Sequence, residues 1–135
     1  MLLVKTCKKN SGIHGVGLFA DQFIAHGTPT WRFTPGIDQA LHPSELQRIP
    51  EAARGQFLTY AYLDIRTGLY VLCADDARFM NHSPEPDITS DYNEDPVFGV
   101  DIAARDIQAG EELTCDYCTF DRMDRENLTF VPNNH

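Results

Sequence analysis

The strand-forming stretches of this 135-residue chain are short, and only one region shows a helical pattern. Short apolar and β-branched runs alternate with turn signals rich in Gly, Pro and Asn, which is typical of strands joined by tight turns. The predicted strands cover residues 2–7, 16–20, 30–34, 61–65, 69–74, 98–103 and 112–117. The lack of alternation between strands and helices argues against a doubly wound nucleotide-binding fold. We expect a mostly β fold of several short strands in small sheets.

Helical periodicity is confined to residues 43–59. Pro50 suits the first position of a helix, and Ala53, Phe57 and Tyr60 then recur on one face. We interpret this region as a helical insert in a β domain that spans residues 1–120. Residues 121–135 are predicted to form a short polar C-terminal tail.

Residues 84–96 combine three prolines with five acidic residues. Proline and acidic residues interrupt strands and favour solvent, so this segment is predicted to be an exposed loop. The KKNSG stretch at residues 8–12 is predicted to be a turn for similar reasons.

The chain is acidic, with a formal net charge of −9 and a pI of about 4.8. This charge opposes direct binding of nucleic acid and favours a basic partner such as a Lys/Arg-rich peptide, but for the charge alone plain solubility is the stronger explanation. The apolar runs are too short for a membrane span, and the first ten residues lack a signal-peptide core. We therefore expect a cytoplasmic protein without membrane partners.

The four cysteines are Cys7, Cys73, Cys115 and Cys118. The last two have C-x-x-C spacing, but a zinc site needs a second pair of Cys or His ligands nearby, and the sequence offers none. We expect free thiols and no bound metal.

Chemistry alone leaves the candidate functional residues ambiguous. His82 is a possible general base, but without an evident nucleophile a structural histidine is the stronger interpretation. The Asn81 side chain can form a hydrogen bond with the backbone of its own turn. Tyr117 can belong to the core, or its phenol can position an amine. The aromatic residues Trp31, Phe33, Tyr60, Tyr62 and Phe79 fit either a core or a slot for an alkylammonium chain.

Three sequence motifs, taken in their order along the chain, say more about function than the chemistry of the single residues does. They read IHGVGLFA at residues 13–20, RFMNHS at 78–83 and GEELTCDY at 110–117. In this order they resemble the SET domain, a β-clip-like fold with a knot-like closure of its C-terminal segment. The resemblance covers roughly residues 4–120 and implies a protein-lysine methyltransferase that uses S-adenosylmethionine (SAM) and releases S-adenosylhomocysteine.

The resemblance also implies roles for individual residues. Those expected to bind the cofactor are Ile13, His14, Gly15, Val16, Gly17, Arg78, Phe79, Asn81, His82 and Phe120. Tyr117 is expected to be catalytic and to contact the substrate lysine together with Tyr60 and Tyr62. Phe120, or secondly Phe130, is expected to close the lysine channel, because no cysteine-rich tail follows Tyr117.

Two departures from the family pattern are visible. NHSPEPD places Pro84 where a zinc-binding Cys is frequent, which agrees with a metal-free version, and Thr119 stands where an aromatic often controls the number of methyl groups. The implied partner is a basic protein carrying the target lysine, and a homodimer is a further expectation. The alternative function is a catalytically idle SET-fold module that binds SAM or a basic peptide.

Overall fold

The computed structural model describes residues 1–121, and within them the fold consists of three small sheets and two short helices. The strands are β1 (Thr6–Asn10), β2 (Val16–Ala20), β3 (Pro29–Arg32), β4 (Gln39–Leu41), β5 (Tyr62–Leu63), β6 (Tyr70–Leu72), β7 (Asn81–His82), β8 (Ile88–Asp91), β9 (Val100–Ala103) and β10 (Thr114–Cys115). The helices are α1 (Pro43–Leu46) and α2 (Glu51–Tyr60), and 3-10 turns lie at Asp76–Phe79 and Tyr117–Thr119. The predicted mostly β class is confirmed.

Strands β1 and β2 form an antiparallel hairpin in which Thr6 lies opposite Ala20 and Asn10 opposite Val16. The bounds of β2 match the prediction, but β1 does not follow it. β1 begins at Thr6 and includes Lys8 and Lys9, which were predicted to be in a turn. Both lysines are exposed, and a strand at a solvated edge accepts charged side chains because they discourage edge-to-edge pairing.

The five-stranded sheet has the order β3-β9-β8-β10-β7. β10 is parallel to both of its neighbours, β8 and β7, which precede it in the chain. The C-terminal segment therefore enters the sheet between two earlier strands, and this places Cys115 beside His82.

The prediction that residues 84–96 form an exposed loop is wrong, because β8 lies within them. Ile88 is 1% exposed and Asp87 is 4% exposed. The Asp87 carboxylate accepts hydrogen bonds from the Thr114 N–H at 2.6 Å and the Thr114 hydroxyl at 3.1 Å, and it pairs with Arg105 at 3.3 Å. These partners offset the cost of burying the carboxylate, which composition alone does not reveal.

The third sheet, β4-β6-β5, is adjoined by the helical insert. Both helices lie in the predicted region, but Ala53 is exposed, whereas Phe57 and Tyr60 are half-buried. The Arg54 guanidinium joins α2 to the end of α1 by donating to the carbonyl oxygens of Leu46 at 3.1 Å and Ile49 at 2.9 Å. A turn lies between β5 and β6, with Gly68 at φ +71°, at the gap between the strands predicted over residues 61–65 and 69–74.

The main core packs β2 against residues of β8, β9 and the loops that adjoin the five-stranded sheet. It consists of Leu18, Ala20, Ile24, Met80, Ile88, Ala103, Ile107 and Leu113. All four cysteines are free thiols. Within residues 1–121, no helix has the length and apolar character that crossing a membrane requires.

Candidate active site

Glu112 is the centre of a polar network that joins three distant segments of the chain. The Ser11 hydroxyl lies 2.7 and 2.9 Å from the two Glu112 carboxylate oxygens. The Asn81 amide nitrogen donates to Glu112 Oε2 and to the His14 carbonyl oxygen, each at 3.0 Å. The Ser11 oxygen also accepts the Ile13 N–H at 2.9 Å. These bonds fix the backbone of residues 11–14 against Asn81.

Glycine is favoured at positions 15 and 17 of this segment for two different structural reasons. Gly15 has φ +45°, a left-handed conformation that glycine adopts without steric cost. Gly17 lies in β2, where a Cβ would stand 2.7 Å from Glu112 Oε2 and 3.1 Å from the Ser11 Cβ. The close approach of Glu112 to the strand therefore requires glycine at position 17.

The network leaves polar atoms that suit the expected cofactor. Two hydrogen bonds from the amide nitrogen orient the Asn81 side chain, and its amide oxygen accepts from no donor among residues 1–121. An amide oxygen accepts from an ammonium, so Asn81 fits the methionine moiety of SAM. Arg78 lies outside the network: its Nε is buried without an acceptor in the described part of the chain, and its guanidinium lies beside the Tyr60 ring. Its expected role toward the cofactor stays a prediction.

Tyr117 lies two residues after the end of β10 and is 5% exposed. Its hydroxyl donates to the Met80 carbonyl oxygen, and its backbone N–H donates to His82 Nδ1 at 3.0 Å. The predicted strand over residues 112–117 is too long, because β10 ends at Cys115 and Tyr117 begins a 3-10 turn. The Asp116 carboxylate caps this turn by accepting the Cys118 N–H at 3.0 Å.

A cavity of about 260 Å³ opens beside Tyr117. The Phe120 ring stands edge-on to Tyr62 at 4.9 Å and to Tyr117 at 5.8 Å, measured between ring centroids. Tyr60 also lines the cavity, and the Arg78 guanidinium lies 5.1 Å from the centre of its ring. Burial raises the pKa of Tyr62, so its phenol stays neutral at physiological pH. Ring faces and edges thus form the walls of a narrow slot.

The predicted site residues fall into two groups. Tyr60, Tyr62, Arg78, Tyr117 and Phe120 line the cavity. The second group lies around the Glu112 network or next to it in the chain and comprises Ile13, His14, Gly15, Val16, Gly17, Asn81 and His82. Phe79 is linked to the cavity wall through the Tyr60 ring at 5.8 Å.

His82 connects the two groups through the Tyr117 backbone. The ring contacts of Phe120 are with the cavity residues, so its expected role toward the cofactor stays a prediction. Phe130 lies outside the described residues.

Sequence reasoning missed several residues of this region. Glu112 and Ser11 were not selected, although Glu112 stands inside the GEELTCDY motif. An acidic side chain in a motif, two residues before a strand that aligns with Asn81, was the available signal. Met80 was missed because it acts through its backbone carbonyl, which no side-chain pattern reports.

The described residues contain no group of three or more His, Cys, Asp or Glu side chains placed to hold a metal ion. Cys115 is half-buried beside the cavity, and burial raises the pKa of its thiol. Cys118 is exposed. A thiol with a raised pKa is a poor metal ligand, because the thiolate is the form that binds.

Comparison with known proteins agrees with this geometry. The family model described as the SET domain matches residues 15–118. A search among curated proteins found no match. Among solved structures, a humanized mutant of the Chaetomium thermophilum Polycomb Repressive Complex 2, bound to the inhibitor GSK126, is 26% identical with a TM-score of 0.61, over 90% of this chain and 16% of that one.

Two further structures are similar. An apo form of the same complex, with E840A and K852D mutations in Ezh2, is 25% identical with a TM-score of 0.64, over 92% of this chain and 16% of that one. A Plasmodium falciparum protein described as a candidate histone methyltransferase is 18% identical with a TM-score of 0.54, over 86% of this chain and 95% of that one, and shows the fold alone. The chain spans about 16% of the Polycomb chains that it matches. Since the family model covers most of its length, this chain belongs to the SET domain family, the family of SAM-dependent protein-lysine methyltransferases.

Proposed function

We propose that this protein transfers a methyl group from SAM to the side-chain amine of a lysine in a basic protein. Family membership supports the reaction class. The observation that carries the proposal is the Tyr117 hydroxyl, which is held by the Met80 carbonyl oxygen at the wall of an aromatic cavity. A phenol and a carbonyl fixed beside an apolar slot are suited to orienting an amine at the end of an alkyl chain.

The cofactor side is built by the Glu112 network. When bound, SAM supplies an electrophilic methyl group on a positively charged sulfonium. Asn81 Oδ1 would accept from its ammonium, and the backbone of residues 13–17 would lie along it, since glycine permits close approach. Because Ser11 and Glu112 fix Asn81 and His14 in advance, little ordering remains when the ligand binds.

The lysine side is built by the aromatic rings. Tyr60, Tyr62 and Phe120 would pack against the methylene chain of the lysine, and their ring faces would attract the ammonium as it enters. Tyr117 and the Met80 carbonyl oxygen would then align the amine for in-line displacement, where orientation supplies much of the rate. The attacking amine must be neutral, and an unperturbed lysine has a pKa of about 10.4, so it must release a proton first.

The charge of the chain supports a basic substrate. With a net charge of −9, the protein attracts Lys/Arg-rich peptides over long distances and repels nucleic acid. We therefore propose that the target lysine lies in a basic segment.

The proposal is tested by calorimetry with SAM followed by incubation with methyl-labelled SAM and a panel of basic proteins. Wild type is expected to bind SAM and label lysine. Asn81→Ala is expected to lose SAM affinity, and Tyr117→Phe to bind SAM but transfer slowly. The exposed Asp21→Asn serves as a matched control that changes charge outside the site. A folded protein that fails to bind SAM would refute the proposal. SAM binding without transfer to any member of the panel would favour the idle binding module.

A further inference from the structure

Three polar side chains form a row across the five-stranded sheet. In the pairing of β3 with β9, Trp31 lies opposite Asp101, and in the pairing of β9 with β8, Asp101 lies opposite Ser90. Side chains opposite each other on neighbouring strands share a face of the sheet and lie about 5 Å apart at Cβ. All three residues line the cavity that contains Tyr117. The row forms one polar wall of the cavity, which Asp64, Arg78, Asp116 and Asp121 also line.

This row has polar atoms without partners among the residues that the structure describes. Trp31 is 3% exposed, and its Nε1–H is buried without an acceptor in the described part of the chain. Asp101 Oδ1 accepts the Ser90 hydroxyl at 2.9 Å, and Oδ2 accepts from no donor among residues 1–121. A buried water is held by two to four polar partners, and here a donor and an acceptor stand on adjacent strands. The wall is therefore built to hold water.

The size of the cavity allows a chain of waters rather than a single one. Its volume of about 260 Å³ is several times what one water requires. The same cavity is bounded by Tyr117, Met80 and Phe120, where the target amine would stand. Water can thus connect the amine position with the Asp101 carboxylate without leaving the protein.

We propose that Asp101 is the proton acceptor for the target lysine, reached through water held between Trp31 Nε1 and the carboxylate. This inference rests on the proposed function. An N–H proton of the lysine ammonium passes to the adjacent water, a proton of the last water passes to Asp101 Oδ2, and the nitrogen keeps the electron pair with which it attacks. Asp101 returns to its carboxylate form by releasing the proton to solvent.

The surroundings of Asp101 favour this transfer. Burial raises the pKa of Asp101 to about 6, with the Ser90 hydroxyl and the N-terminal ammonium of Met1 acting in the opposite direction. Transfer from ammonium to carboxylate replaces two buried charges by two neutral groups, which an environment of low polarity favours. Near neutral pH, Asp101 is ionised and ready to accept.

The other ionisable groups around the cavity are less suited to the role. Burial raises the pKa of Tyr62, Cys73, Tyr92 and Cys115, so they remain neutral and do not accept a proton. The carboxylates of Asp64, Asp116 and Asp121 already accept backbone N–H groups of Thr67, Cys118 and Leu63. Arg78 also lines the cavity, but its guanidinium is already protonated and cannot accept a proton.

The first arm of the test observes the row directly, without turnover. The chain contains one tryptophan, so the Trp31 indole N–H gives a single assignable NMR signal. We expect cross-relaxation with water, and a shift that titrates with a midpoint near pH 6 in wild type and is absent in Asp101→Asn. An indole proton without water contact, or one with the same titration in both proteins, would overturn the inference.

The second arm measures methyl transfer to a lysine peptide as a function of pH. Asp101→Asn is expected to lower kcat about 100-fold at neutral pH with unchanged KM, and to remove the decline in kcat that protonation of Asp101 causes below about pH 6. Asp101→Glu should restore part of the rate, whereas the exposed Asp21→Asn should match wild type. Because His82 also borders the site, the test of Asp101 is the difference between the pH profiles of kcat for wild type and Asp101→Asn.

The outcomes separate the two proposals. If wild type methylates lysine and Asp101→Asn keeps the same kcat and pH profile, only the role of Asp101 is wrong. If folded wild type binds SAM but methylates no lysine, the proposed function fails and the role of Asp101 fails with it.

Discussion

The two halves of the candidate site are held together by different forces. On the cofactor side, Ser11, Asn81 and Glu112 interlock through directional hydrogen bonds of 2.7–3.0 Å. On the lysine side, Tyr62, Tyr117 and Phe120 meet through ring contacts at centroid separations of 4.9–5.8 Å. Hydrogen bonds to a carboxylate tolerate little change in geometry, whereas ring packing allows adjustment.

This difference suggests that the two halves suit two different kinds of ligand. The polar network presents one fixed geometry, which suits a ligand that is the same in every turnover. The aromatic cavity excludes bulk water and leaves room for movement, which suits a side chain that enters and leaves. We expect substitutions in the network to reduce SAM affinity, and substitutions in the cavity to reduce the rate of transfer.

The largest expected effect falls on the lysine side. Tyr117→Phe removes the hydroxyl that orients the amine and leaves the buried Met80 carbonyl oxygen without its donor. We expect kcat to fall about 100-fold to 1000-fold, as for loss of one fixed polar group at a reacting centre, with little change in SAM affinity by calorimetry. A comparable loss of SAM affinity would show that the two halves are not separate.

The second prediction concerns stability, measured by urea denaturation at two pH values. The pKa of Asp101 is raised from 3.8 to about 6 in the folded protein, so folding disfavours its charged form. The cost is absent below pH 3.8, grows as the pH rises toward 6 and is complete above it. Asp101→Asn avoids this cost, which is at most about 3 kcal/mol.

We therefore expect Asp101→Asn to be more stable than wild type at neutral pH and equal to it near pH 4. An equal difference at both pH values would indicate a packing effect instead. Together with the expected loss of rate, a gain in stability would mark Asp101 as a residue kept for function.

A smaller effect is expected in the network. Gly17→Ala places a Cβ 2.7 Å from Glu112 Oε2, and Glu112 cannot move away without breaking its bonds to Ser11 and Asn81. We expect a loss of about 1–3 kcal/mol in the free energy of unfolding, together with weaker SAM binding. Gly12→Ala is the matched control, since no heavy atom lies within 4 Å of the position that its methyl group would take. Equal stability of both variants would contradict a rigid network.

The smallest effect is expected from Glu112→Gln, which keeps the shape of the side chain but turns one acceptor oxygen into a donor. The bonds that Ser11 and Asn81 make to this group then lose the strength that the negative charge of the carboxylate gives them. We expect SAM affinity to fall about 10-fold, or about 1.4 kcal/mol, by calorimetry. Glu111→Gln is the neighbouring control, because that carboxylate pairs with the exposed Arg105 at 2.6 Å and does not enter the network. Its SAM affinity should equal that of wild type.

Local patterns predicted the fold best where turn residues and strand formers stand together. The bounds of β2 and the turn before β6 follow from Gly, Val and Leu at the expected spacing. β8 was missed because its burial depends on Asp87, whose partners Thr114 and Arg105 come later in the chain. Propensity reports what a segment prefers alone, and here a distant pair of partners decided the outcome.

The same limit applies to the candidate site. Asn81, His82 and Tyr117 were selected because they stand in recognisable motifs. The row formed by Trp31, Asp101 and Ser90 has no local signal, because it arises from the register between three strands. A one-residue change in register would turn these side chains to the other face. Cross-strand polar rows therefore need a structure to be seen.

The most direct test of lysine methyl transfer is mass spectrometry of a basic peptide after incubation with SAM and either wild type or Tyr117→Phe. We predict that wild type adds methyl mass to a lysine, located by fragmentation, and that the same peptide with arginine at that position is unmodified. Tyr117→Phe should give little product in the same time. Methyl groups on another residue type, or equal product with Tyr117→Phe, would contradict the account.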